Sequence, residues 1–126
     1  MRLDRLDHLV LTVADIDATV RFYADVLGME KVVFGEGRIA LSFGRQKINL
    51  HQKGAEFEPK THLPTPGSAD LCFIAATPLE QVIAELRVQN IAIEIGPVER
   101  AGATGRMISI YLRDPDDNLI EISNYR

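Results

Sequence analysis

The chain has 126 residues, 46% of them hydrophobic, enough for one sizeable core or for two small half-domains that share an interface. A quarter of the residues are charged and the net charge is −4, so there is no basic stripe for a phosphate backbone or an anionic membrane surface. The opening MRLDRLDHLV lacks a signal-peptide plan, no apolar run reaches membrane-spanning length, and the single cysteine, Cys72, has no partner for an internal disulfide. These features predict a cytoplasmic protein with neither nucleic acid nor a membrane as partner.

In chain order, Arg5 to Val13 alternates around β-formers, with Leu9, Leu11 and Val13 on one face and Leu6, His8, Val10 and Thr12 on the other. From Asp15 to Leu27 the set Thr19, Phe22, Tyr23, Val26 and Leu27 follows helical spacing, and Gly28 is placed as its stop. Three β-like stretches follow, Lys31 to Phe34, Arg38 to Phe43 and Gln46 to Gln52, punctuated by Gly35, Gly37 and Gly44. This half, residues 1–53, reads β, α, β, β, β. Residues 54–68 (GAEFEPKTHLPTPGS) carry three prolines and no periodicity, which predicts a linker.

The order then repeats over residues 69–126. Asp70 to Ala75 is a strand. A helix follows, opened by Thr77 as N-cap, Pro78 at the first helical position and Glu80 in a capping box, with Leu79, Val82, Ile83 and Leu86 as its apolar stripe. Strands are predicted at Ala92 to Gly96, Met107 to Leu112 and Asn118 to Ser123, the last two joined by a tight turn in RDPDD, Arg113 to Asp117. The predicted fold is therefore α+β, a single domain made of two βαβββ modules.

Two copies of one order point to an internal duplication. Matching LDHLVLTV to SADLCFIA sets His8 against Asp70, and the last strands, KINLHQ and NLIEIS, are matched so that His51 answers to Glu121. Strand alternation aims all four away from the helices: Leu9, Leu11 and Val13 for His8, Ile48 and Leu50 for His51, Leu71, Phe73 and Ala75 for Asp70, Ile120 and Ile122 for Glu121. A lone strand histidine is usually a hydrogen-bonded core or surface residue, and a strand-end carboxylate is commonplace. Equivalence under the repeat is what turns these two imidazoles and two carboxylates into a candidate divalent-metal site. Arg45, Lys47 and Asn49 share the alternation of His51 and are candidates for holding an anionic substrate. Cys72 alternates with Asp70 as pocket lining, while Ser109 and Tyr111 share the face of Glu121.

HLVLTV followed by ADIDATVRFYADVLGME, together with RDPDDNLIEIS, resembles the glyoxalase, bleomycin-resistance and extradiol-dioxygenase (vicinal oxygen chelate) superfamily over nearly the whole chain. More narrowly, it is similar to small glyoxalase-domain-containing proteins. The resemblance implies a cup-shaped mixed sheet with a metal at its base, and a homodimer. It assigns the first-strand ligand to His8 and the last-strand ligand to Glu121; His51 and Asp70 complete the set with types interchanged from the glyoxalase I-like pattern. Such donors suit Ni, Mn, Co, Fe or Zn. Glyoxalase I-like members carry a glutathione-binding arginine four residues after the first ligand, where this chain has Thr12. Thr12, Lys47, Asn49, Cys72 and Tyr111 are then the candidate substrate contacts.

The implied activity is a metal-dependent lyase or isomerase that forms an enediolate from a substrate with vicinal oxygens, Glu121 acting as base. The alternatives are a ferrous extradiol-type dioxygenase, and a metal-free protein that sequesters a drug or metabolite.

Overall fold

The computed structural model describes residues 1–126. They divide into two compact units, Met1–Ser68 and Ala69–Arg126. In the first unit β1 (His8–Val13) is followed by α1 (Ile16–Arg21) and then β2 (Glu30–Phe34), β3 (Arg38–Phe43) and β4 (Gln46–Gln52). The sheet order is β1-β4-β3-β2, with β1 parallel to β4 and the other pairs antiparallel. In the second unit β5 (Asp70–Ile74) leads into α2 (Leu79–Val88), then β6 (Ile95–Ala101), β7 (Arg106–Arg113) and β8 (Leu119–Tyr125). The order β5-β8-β7-β6 repeats that of the first sheet, again with one parallel pair. The α+β class and the doubled βαβββ plan hold.

Each core is the helix-facing half of its sheet. Leu11, Val13, Leu41, Ile48 and Leu50 are buried with Thr19 and Tyr23 of the first helical segment; Ile110, Leu112, Ile120 and Ile122 are buried with Leu79 and Leu86 of α2. The period-2 pattern thus fixes which residues remain on the free face.

Several boundaries differ from expectation. Residues 1–7 have no regular structure, so the first strand begins at His8 rather than Arg5. The first helix is α-helical only over Ile16–Arg21 and continues as a π-helical turn, Phe22–Val26; Asp15 caps it by accepting from the Ala18 amide. Gly28, at φ +73°, ends it while its amide bonds the Ala24 carbonyl, the role predicted for this glycine.

The capping box at α2 does not form. Pro78 itself is the N-cap and has no side-chain cap; the Leu79 amide instead donates to Asn124 Oδ1 at 2.7 Å, from 45 residues away in β8. A tertiary amide has displaced the local threonine, which no local motif could reveal.

The strand expected at Ala92 to Gly96 lies further on, at Ile95–Ala101. It tolerates Pro97 because β6 is an edge strand. Gly96, at φ +114°, passes so close to β7 that a Cβ would lie 2.5 Å from the Ser109 carbonyl oxygen, which restricts the position to glycine. Residues 54–68, expected as a bare linker, group with the first unit, and Phe57 packs there against His51.

Candidate functional site

On the free face of the first unit, strand register sets three rungs. His8 pairs with Lys47, Val10 with Asn49, and Thr12 with His51. Across β4, Lys47 pairs with Ser42 and Asn49 with Ala40. His8 is exposed, and its Nδ1 is hydrogen-bonded to Asp7 Oδ1 at 2.8 Å. That bond holds the carboxyl of Asp7 below its ordinary range. It also fixes the imidazole so that Nε2 is the nitrogen left to meet a ligand, the orientation that a carboxylate gives to metal-bound histidines.

Asn49 is the notable member of the middle rung: its Oδ1 is buried and has no hydrogen-bond partner. A buried amide oxygen without a donor costs about 1–3 kcal/mol, a penalty that a cation or a ligand donor would remove.

His51 lies four register positions beyond the rung of His8, about 13 Å along the strands at ~3.3 Å per residue. It is only 8% exposed, with its ring edge-on to Phe57 at 5.7 Å between centroids. Burial, and then the charge of Arg38, lower its pKa and favour the neutral imidazole. His8 and His51 are therefore not brought together, and the matching of His51 to Glu121 fails. Glu121 pairs with Cys72, the third residue of β5, and Asn49 pairs with Val10, the third residue of β1. Asn49 is thus the counterpart of Glu121, while His51 answers to Ser123, the partner of Ile74. Asn49 and His51, two residues of the same parity, lie one rung apart, a slip that alternation alone does not detect.

In the second unit, Asp70 pairs with Leu119 at the exposed start of β5, one same-face rung before Cys72 and Glu121. Glu121 is the hub of this face. Its Oε2 accepts from Ser109 Oγ at 3.0 Å, Ser123 Oγ at 3.1 Å and Cys72 Sγ at 3.2 Å. Tyr111 is the register partner of Glu121 on β7, and its hydroxyl accepts from Arg100 Nε at 2.9 Å. Burial, the largest single influence, pushes the pKa of Glu121 upward; the hydrogen bonds from Tyr111, Cys72, Ser109 and Ser123 together outweigh it, so the net shift is downward and the carboxylate stays ionised. Burial raises the Cys72 thiol and the Tyr111 phenol, and the charge of Glu121 adds to both. Both remain protonated donors, and Cys72 is no thiolate nucleophile.

Of the predicted contacts, Cys72 and Tyr111 join Glu121, and Ser109 does so as its alternation with Tyr111 indicated. Thr12 shares a rung with His51. Lys47 shares one with His8 but extends its ammonium to the Phe34 ring, 3.8 Å from the centroid. Arg45 lies in the β3–β4 turn and is exposed, so it does not share the strand alternation. Asp7, Arg38 and Ser123 were not singled out from sequence. Ser123 was within reach, since it alternates with Glu121 along β8.

Neither unit gathers three His, Cys, Asp or Glu side chains in a metal-ligating group. Each carries instead two candidate donors at equivalent strand positions: His8 and Asn49 in one, Asp70 and Glu121 in the other. Each pair is of a type that suits a divalent ion: an oriented imidazole with an amide oxygen lacking any partner in the first unit, two carboxylates, one of them held ionised, in the second.

Residues 5–122 match the profile of the Glyoxalase/Bleomycin resistance protein/Dioxygenase superfamily. The chain belongs to this superfamily. Its members include glyoxalases and dioxygenases and often use divalent metals. Virulence protein STM3117 of Salmonella typhimurium is 62% identical over 125 residues, covering 99% of this chain and 87% of that protein. Its crystal structure matches with a TM-score of 0.98 over 100% of both chains. Glyoxalase domain-containing protein RDO1 of Mycosarcoma maydis is 55% identical over 121 residues, 96% of this chain and 68% of that one. The crystal structure of a lactoylglutathione lyase from Agrobacterium tumefaciens shares 25% identity and a TM-score of 0.74, covering 98% of this glyoxalase-superfamily chain and 95% of the lyase. No helix here is long and apolar enough to cross a membrane.

Proposed function

We propose that the chain is a divalent-metal-dependent enzyme of the glyoxalase I type, which moves a proton between neighbouring carbons of a small substrate bearing vicinal oxygens. Glu121 is the proton carrier. One observation carries this reading: a single carboxylate on a free sheet face, that of Glu121, accepts hydrogen bonds from Cys72, Ser109 and Ser123. A base must be ionised before it can accept a proton. Ser109, Ser123, Cys72 and Tyr111 follow its charge, stabilising the carboxylate when the proton has left and relaxing when it arrives.

His8, Asn49, Asp70 and Glu121 are the donors proposed for the ion, Asn49 replacing His51. Two donors do not saturate a divalent ion, so further donors are required, and a homodimer is proposed. When bound, the ion supplies Lewis acidity toward two adjacent substrate oxygens. Thr12 offers a hydroxyl rather than a cation, so the substrate handle is expected to differ from glutathione. The relationship to a lactoylglutathione lyase supports the reaction type. A ferrous dioxygenase triad would need His8 and His51 on one ion, and their separation by four register positions counts against it.

The test is metal analysis of the purified protein, followed by turnover of vicinal-oxygen substrates across Ni, Mn, Co, Fe and Zn. Glu121→Gln is expected to abolish turnover, and His8→Ala to lower metal content. Intact metal content and turnover in Glu121→Gln would overturn the reading. A protein that takes up none of these ions would favour the metal-free sequestering role instead.

A further inference from the structure

The rung that carries Thr12 and His51 extends one strand further. Thr12 pairs with His51 across β1 and β4, and Ile39 pairs with Leu50, so Arg38, one residue earlier on β3, stands opposite His51. Three neighbouring strands thus set Thr12, His51 and Arg38 side by side, and alternation puts all three on the free face of the first unit. Phe57 closes over them: its ring centroid is 4.3 Å from the Arg38 guanidinium carbon and 5.7 Å from the centroid of the His51 ring.

The polar ends of these side chains are donors without acceptors. No hydrogen bond within the chain engages the Thr12 hydroxyl, the His51 ring nitrogens or the Arg38 guanidinium, and Arg38 takes part in none of the ion pairs. His51 is more than nine-tenths buried, yet its nitrogens are not among the fully enclosed polar atoms lacking a partner, so they remain open to a ligand. The contact with Phe57 uses the flat face of the guanidinium and leaves its N–H edge free. His51 is held neutral by burial, so the rung carries one positive charge. Glu56 and Glu58 also act on His51, but Glu56 accepts the Gly54 amide and Glu58 pairs with Lys60. One cation among several neutral donors matches a singly charged oxyanion, whereas a doubly charged phosphate would meet repulsion from these two carboxylates.

We propose that Arg38, His51 and Thr12 form the seat of a substrate carboxylate, with Arg38 as its single cation. The guanidinium fork takes the two carboxylate oxygens side by side, and the imidazole N–H and the Thr12 hydroxyl donate to the lone pairs that remain. Phe57 holds the guanidinium in place and so lowers the entropy lost on binding. Asn49 lies one same-face rung from His51 along β4, about 7 Å at ~3.3 Å per residue, a gap that a short carbon chain spans. The substrate class that follows is a small oxygenated acid, its carboxylate on Arg38 and its vicinal oxygens toward Asn49. The direction of the vicinal oxygens rests on the proposed function; the carboxylate seat rests on the three donors alone.

The experiment is a titration of the chelator-treated full chain with propionate, with the neutral isostere propionamide and with inorganic phosphate, followed by NMR of the backbone amides and the histidine rings. Working without metal keeps the result independent of whether the enzyme reading survives. Propionate is expected to shift the His51 ring and the amides around Thr12, Arg38 and His51, and to bind more weakly as salt rises, while propionamide and phosphate bind more weakly than propionate throughout. Arg38→Gln should weaken propionate roughly tenfold and Arg38→Lys less, whereas Arg45→Gln, in the exposed β3–β4 turn, should leave it unchanged. Thr12→Val, which removes one polar atom at constant shape, should weaken it about threefold. Equal affinity for propionate and propionamide, tighter binding of phosphate, or a loss in Arg45→Gln as large as in the folded Arg38→Gln overturns the proposal.

Discussion

Replacing Ser109 by alanine should destabilise the second unit in a pH-dependent way. Ser109 is fully buried on β7; its hydroxyl donates to Glu121 Oε2 at 3.0 Å and lies 2.6 Å from Ser123 Oγ. A hydrogen bond to a charged acceptor contributes about 1.5–3 kcal/mol, and the carboxylate keeps Ser123, Cys72 and Tyr111, so the expected loss is about 2 kcal/mol at neutral pH. The sign in acid follows from Glu121. Its folded pKa is depressed, so its contribution is present above the unfolded carboxyl value and is lost as pH falls through the folded one. Removing one donor moves the folded pKa back up toward the ordinary value, and below both values the charge-linked part of the loss vanishes. Urea unfolding at neutral pH and near pH 3, with the Glu121 carboxyl followed by ¹³C NMR, reads both effects. An equal loss at the two pH values, with an unmoved Glu121 titration, would refute the claim that these hydrogen bonds hold the charge.

Asn124→Ala should cost roughly 2 kcal/mol, because it removes the acceptor for the Leu79 amide and the donor to the Ala75 and Thr77 carbonyls; hydrogen exchange should then show the first turn of α2 opening before its remainder. His51→Gln should make stability less sensitive to mild acid. The imidazole has a folded pKa below its unfolded one, so the native chain resists a proton that the unfolded chain accepts, and stability falls as pH drops below the ordinary histidine value of about 6.5. Unfolding curves of wild type and variant between pH 7.5 and 5 check this, and parallel profiles would show that burial does not disfavour the imidazolium.

The doubled βαβββ plan was legible because it depends on period. Leu11 and Val13 in β1, and Ile120 and Ile122 in β8, announce a buried face two residues at a time, and burial is what strands are selected by. What the sequence did not carry was anything set by a partner distant along the chain. The cap of α2 comes from Asn124, not Thr77, and Phe57 is drawn onto Arg38 and His51 although no period marks its segment.

The candidate site shows the same division more sharply. Alternation correctly placed His8, Asp70, Cys72 and Glu121 on free faces, yet it has a period of two and so cannot separate Asn49 from His51, which point the same way. Only the parallel pairing of β1 with β4, set beside that of β5 with β8, resolves them. Once it does, chemistry distinguishes the two residues as well. His51 is buried against an aromatic ring and four register positions from the rung of His8, whereas Asn49 presents a buried oxygen that lacks any partner. Histidine is the more conspicuous metal-ligand type in a sequence, but an unsatisfied acceptor in the folded chain is the stronger physical claim on a ligand.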